Sequence, residues 1–232
     1  MINIETIDEK TLCSLFDHTC LKPDAVEADF IKLCNEAKDN HFKMVAINSY
    51  PVKLCKSLLK DSDVHVGAAI GFYLGQNTIE SKCFETIQAI KDGADEIDYV
   101  VNIGRVKDHD YEYIKRETNE IVSICRDNNV LVKVIFENCY LEKEEIRQLS
   151  LIAKEVKPDF IKTSTGFGTY GAKVEDVLVM KETVEDEVKV KAAGGIRDWD
   201  TCRKMIEAGA ERIGTSSSLI ILEQFKKERN YG

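Results

Sequence analysis

The chain contains no apolar run approaching the roughly 18 residues that a membrane-crossing helix requires. Its first residues, Met1-Ile2-Asn3-Ile4-Glu5, lack the basic-then-apolar order of a signal peptide. No membrane partner is expected, and the sequence reads as cytoplasmic. Basic charge is in deficit: 32 Lys and Arg stand against 41 Asp and Glu, a net charge of -9. That disfavours nucleic acid or an anionic membrane as the main partner, so any phosphate has to be met locally. The eight cysteines include no Cys-x-x-Cys pair, and in a chain of this size most read as small core hydrophobes. Histidine is scarce. His18, His41, His65 and His109 are too dispersed for the three protein ligands typical of catalytic zinc, so no metal is expected, and His18 and His65 read as packed or hydrogen-bonded core residues. No G-x-G-x-x-G follows the first strand, which sets a dinucleotide-binding open sheet behind the alternatives.

What is present is one alternation. Short, largely β-branched runs predict strands at 15–17, 44–48, 64–70, 96–101, 131–136, 160–162, 188–191 and 212–214. Helical patterns lie between them. Asn77 or Thr78 can cap a helix with Ile79, Cys83, Ile87 and Ile90 on one face, ended by Gly93. Asp198 caps another with Trp199, Cys202, Met205 and Ile206 on one face, ended by Gly209. The joints Gly93-Ala94-Asp95-Glu96-Ile97 and Gly209-Ala210-Glu211-Arg212-Ile213 share one layout. Eight strand-helix units without a long linker predict a single (β/α)8 barrel, an α/β fold, spanning residues 1–232 as one domain.

Chemistry in this fold sits at the C-terminal ends of the strands. The polar residues there are Asp17, Asn48, Asp98, Asn102, Lys133, Glu137, Lys162, Lys191, Ser216 and Ser217. Lys133, Lys162 and Lys191 fall on three consecutive strands, close enough to converge. Ammonium groups crowded in a dry pocket lower one another's pKa, and the neutral amine is the nucleophile that makes imines with carbonyl substrates. On position alone any of the three qualifies, and pairing with Asp98 and Glu137 in a structural ion network is the competing reading. Gly194-Gly195 and Gly214-Thr215-Ser216-Ser217 can offer backbone N–H groups and hydroxyls to a phosphate after strands 7 and 8, with Arg197 either adding charge or lying on the surface.

Several segments carry a resemblance. They are Asp17-His18-Thr19 with Lys22-Pro23, Gly71-Phe72 with Leu74-Gly75, Gly93 to Asp98 with Val101-Asn102-Ile103-Gly104, Lys133-Val134-Ile135 with Glu137, Lys162-Thr163-Ser164-Thr165-Gly166, Lys191 to Arg197, and Ile213 to Ser217. The chain resembles the deoxyribose-phosphate aldolase family, class I aldolases of the barrel fold, over essentially its whole length. The resemblance implies reversible cleavage of 2-deoxy-D-ribose 5-phosphate to D-glyceraldehyde 3-phosphate and acetaldehyde, with no metal or cofactor. Its partners would be small phosphosugars and aldehydes, and a homodimer or homotetramer is expected. By motif, Lys162 is the Schiff-base lysine, Lys191 the neighbour that lowers its pKa, and Asp98 the proton-transfer group, with Lys133 assisting. Gly166, Gly194, Gly195, Arg197, Gly214, Ser216 and Ser217 are the expected phosphate contacts.

Another Schiff-base aldolase or a transaldolase would share the strand-end lysine and the phosphate cradle. A sugar-phosphate sensor on the same barrel would be expected to lack one of the lysines or Asp98, and all are present. Four departures from the family pattern stand out. Ala46 replaces a common cysteine, so aldehyde by-products should do less harm there. Tyr73 replaces a proline and Cys20 a leucine, neither expected to touch the chemistry. Phe167 stands where some relatives carry lysine.

Overall fold

Along each strand every second residue points outward, and these positions carry the apolar core. Val45 and Ile47, Val66 and Ala68, Ile97 and Tyr99, Val132 and Val134, Val190 and Ala192 all belong to one buried cluster shared with the surrounding helices. The alternate positions point inward, and several are charged. That division follows from the period of two in a strand: one face meets helices, the other meets the barrel interior.

The computed structural model describes residues 2–230. Strands β1 (Phe16–Cys20), β2 (Met44–Asn48), β3 (His65–Ile70), β4 (Glu96–Val100), β5 (Leu131–Ile135), β6 (Phe160–Lys162), β7 (Lys189–Ala193) and β8 (Arg212–Thr215) form a closed barrel in chain order. All neighbours are parallel, and β1 closes on β8 through the pairs Phe16 with Ile213 and Asp17 with Gly214. The helices are α1 (Glu9–Cys13), α2 (Glu27–Asp39), α3 (Val52–Leu58), α4 (Ile79–Lys91), α5 (Ile103–Lys107), α6 (Tyr111–Asp127), α7 (Lys143–Val156), α8 (Val174–Val184), α9 (Trp199–Glu207) and α10 (Ser218–Asn230). Among the described residues no helix is long and apolar enough to cross a membrane.

The expected (β/α)8 architecture is therefore observed, with strand ends shifted by a few residues. β1 runs on to Cys20 and β7 to Ala193, because the polar residues that seem to end these strands in the sequence face the interior or neighbouring helices. The repeated joints hold as well: Gly93 and Gly209 both take φ +106, beyond the reach of most side chains, and Asp95 N–H and Glu211 N–H each start the next strand pairing at 2.8 Å.

α9 presents the expected face, with Trp199, Cys202, Met205 and Ile206 buried behind the Asp198 cap. α4 does not. Thr78 caps it, but its buried residues are Ile79, Lys82, Thr86 and Ala89, whereas Ile87 is 38% exposed. Lys82 takes the inner position because its ammonium reaches Glu117 at 2.6 Å and the Val100 carbonyl at 2.7 Å. Hydrophobic periodicity is blind to a buried ion pair. All eight cysteines are free, and five of them are buried.

Candidate active site

The interior of the barrel holds seven charged side chains in contact. Asp98, near the end of β4, accepts from Lys133 at 2.7 Å through Oδ1, and from Lys162 at 2.8 Å and Lys191 at 2.7 Å through Oδ2. Lys133 also meets Glu96 at 2.5 Å. Asp17 takes the ammonium of Lys191 on one oxygen and the guanidinium of Arg212 at 2.7 Å on the other. Arg212 in turn lies 3.3 Å from Glu96.

Register explains the grouping. Lys162 lies opposite Lys191 across β6 and β7. Its neighbour on β5 is Ile135, which puts Lys133 two residues lower in the barrel. The three lysines therefore converge on Asp98 as expected, but from two levels. Lys162 is 4% exposed and borders a cavity of about 360 Å³ at the mouth, whereas Lys133 and Lys191 are fully buried and do not line it.

The electrostatics follow. Burial pushes the Lys162 ammonium down; Asp98 opposes this, Lys191 and Lys133 add to it, and the pKa falls to about 8. Asp98 is held well below the usual carboxylate range because Lys133, Lys162 and Lys191 outweigh the cost of its burial. Lys133 departs from the expectation of mutual lowering. Burial works against its charge, but Asp98, Glu96 and Asp17 prevail and raise its pKa above the ordinary lysine value. The reason is the lower level, where carboxylates and cations are matched.

The cavity wall is built from the loops after β1, β6, β7 and β8. Gly166, Gly194, Gly195, Arg197, Gly214 and Ser216 line it, and Ser217 does not. Close approach makes glycine necessary at two of these points. A Cβ on Gly194 would sit 3.0 Å from the Gly171 Cα, and one on Gly214 would sit 3.1 Å from the Lys191 Cε. The turn after β6 is braced from beneath by Glu137, which accepts the Thr165 N–H at 3.1 Å and the Thr165 hydroxyl. Glu137 thus holds the lysine loop and pairs with none of the three lysines, while Asn102 caps α5 and Asn48 reaches the Leu21 carbonyl.

Sequence reasoning missed one wall. His18, Lys22, Asp29, Lys32 and Glu36 from β1, its loop and α2 also border the cavity. Lys22 belongs to the Lys22-Pro23 motif, but Lys32 and Glu36 carry only the ordinary i, i+4 spacing of a surface helix pair. Cys20 borders the cavity too, without contacting Lys162, Lys191 or Asp98, and burial keeps its thiol pKa raised. Phe167 lies on the rim and stacks on Tyr73, ring centroids 5.1 Å apart. Among the described residues no group of three or more His, Cys, Asp or Glu is placed to hold a metal ion.

A closed parallel barrel with a buried lysine at the C-terminal mouth, its pKa lowered to about 8, defines the class of α/β-barrel enzymes that work from strand ends. Residues 11–227 match the family model described as DeoC/LacD family aldolase. The chain is 60% identical to the deoxyribose-phosphate aldolase of Lactobacillus acidophilus, over 95% of this chain and 92% of the relative. It is 51% identical to that of Thermococcus gammatolerans, over 91% and 95%. Among solved structures, the tetrameric deoxyribose phosphate aldolase of Aeropyrum pernix superposes with a TM-score of 0.89 at 31% identity, covering 95% of this chain and 93% of the other. The chain belongs to the DeoC/LacD aldolase family and is a lyase.

Proposed function

We propose that the chain cleaves 2-deoxy-D-ribose 5-phosphate reversibly through an imine on Lys162, without a metal or cofactor. The observation that carries this reading is the position of Lys162. It is the one lysine of the three that borders the cavity, and its pKa of about 8 leaves a useful fraction of neutral amine at neutral pH.

The Lys162 amine adds to the C1 aldehyde of the open-chain sugar, and loss of water leaves a protonated imine. The C3 hydroxyl gives up its proton, the C2–C3 bond breaks, and its electron pair moves toward the imine nitrogen to form an enamine. D-glyceraldehyde 3-phosphate departs. Protonation of the enamine at C2 and addition of water release acetaldehyde and the free lysine. Asp98 remains a carboxylate throughout and orders the proton transfers through a water molecule between the ammonium groups. Lys191 adds positive charge beside Lys162, and Lys133 anchors Asp98 from below.

The 5-phosphate docks on Gly166, Gly194, Gly195, Arg197, Gly214 and Ser216 of the cavity wall, with the hydroxyl of Ser217 reaching it from just outside that wall. We infer a cytoplasmic role in degrading deoxyribose phosphates, performed by residues 1–232 as a single domain in a homodimer or homotetramer. The tetramer of the Aeropyrum pernix relative supports the assembly.

Borohydride reduction with acetaldehyde or with 2-deoxyribose 5-phosphate, followed by peptide mass mapping, tests the nucleophile. A stable adduct on Lys162 is expected. An adduct on Lys191 or Lys133 overturns the assignment, and no adduct at all favours a binding barrel without catalysis.

A further inference from the structure

On the outer side of β1 lies a hydrogen-bonded row that the reaction above does not use. His18 is 4% exposed and joins three elements. Its Nε2 lies 2.8 Å from Glu36 Oε2 on α2, and its Nδ1 lies 3.1 Å from Ser218 Oγ at the start of α10. The ring packs on Phe42, with centroids 5.2 Å apart. Carboxylate, imidazole and hydroxyl in that order form the contact pattern of a hydrolase triad. Ser218, however, is fully buried and does not border the cavity, so its hydroxyl has no access to a substrate. The row acts on the fold.

With a carboxylate at Glu36, the ring keeps its proton on Nε2, and Nδ1 accepts from the Ser218 hydroxyl. Burial, working against Glu36, pushes the His18 pKa down and so favours this neutral ring. Ser218 follows Ser216 and Ser217 directly. The Ser217 N–H donates to Thr215 Oγ1 at 2.9 Å, and the Thr215 hydroxyl donates to the Ile196 carbonyl at 2.6 Å. The turn between β8 and α10 is thus clamped twice, to the loop after β7 through Thr215 and to β1 and α2 through His18.

We propose that His18 is a positioning residue: by holding Ser218 it aims the Gly214–Ser217 turn at the substrate phosphate and so sets the preference for phosphorylated over unphosphorylated sugars. This rests on the phosphate contacts proposed above. Donors at a helix start bind an anion well only when their direction is fixed, and a shift of about 1 Å loosens such a site.

The test is the ratio of kcat/KM for 2-deoxyribose 5-phosphate to that for 2-deoxyribose, in the native chain and three variants. His18→Asn puts an amide oxygen near the Nδ1 position and keeps an acceptor for Ser218. His18→Gln puts its amide near Nε2, keeps Glu36 and loses Ser218. The ratio should fall roughly tenfold in His18→Gln and Ser218→Ala, through KM more than kcat, and stay within about twofold of native in His18→Asn. Inhibition by inorganic phosphate should weaken in parallel. An unchanged ratio in His18→Gln and Ser218→Ala, or an equal fall on both sugars, overturns the role of His18 while leaving the phosphate contacts standing. A native chain that handles both sugars alike overturns the phosphate reading and this role with it.

Discussion

The two levels of the barrel interior use the same residue types to opposite ends. On the floor, Lys133 and Arg212 face Glu96 and Asp17, two cations for two carboxylates. At the mouth, Lys162 and Lys191 share one oxygen of Asp98. The interior as a whole therefore carries one cation too many, and the surplus is relieved when Lys162, the group nearest the cavity, gives up its proton. A buried lysine is no nucleophile as such: Lys133 is more deeply buried than Lys162 and holds its proton more tightly, because its partners are carboxylates.

Removing the surplus is the strongest way to break this contrast. Lys191→Leu should lower turnover by roughly a hundredfold or more, with the fold retained by circular dichroism. In the native chain, the rate of adduct formation should rise with pH through about 8 as the amine of Lys162 is freed. With one cation gone, the Lys162 pKa climbs, and that rise should move to higher pH in the variant. Near-native turnover with an unmoved profile would remove Lys191 from the explanation.

Disturbing the floor should cost the fold first. Glu96→Gln leaves Lys133 and Arg212 short of an anion, and breaking a buried pair from one side costs roughly 3–5 kcal/mol. Urea unfolding measures it, and an unchanged midpoint would mean that charge balance at the floor contributes little. The smallest effect probes access. Ala46 points inward from β2, above Met44, whose sulfur contacts the Lys133 ammonium at 3.4 Å. An Ala46→Cys variant should lose activity faster than the native chain during prolonged exposure to high acetaldehyde, because a thiol at that level meets electrophilic by-products. Equal rates of loss would show that this level is closed to them.

Strand positions were legible in the sequence because short, largely β-branched runs alternate with helical patterns, and the α9 face was legible because nothing charged interrupts it. The α4 face was not, since Lys82 and Glu117 are 35 residues apart and declare themselves only when packed together. The convergence of Lys133, Lys162 and Lys191 could be anticipated from their place on adjacent strands. Their division into floor and mouth could not, because it depends on the register that sets Lys162 against Ile135. His18 read as a core histidine, and its bonds to Glu36 and Ser218 connect residues 18 and 200 positions away.

Taken alone, the sequence determined the barrel, the strand ends at which this fold places its chemistry and the residue types gathered there, since all three follow from local patterning and turn residues. Among the three lysines it distinguished Lys162 only by resemblance. Tertiary structure supplied the physical distinction: proton affinity depends on which charges lie within a few ångströms and on how much water reaches the group, and both are properties of the closed barrel rather than of any segment of chain.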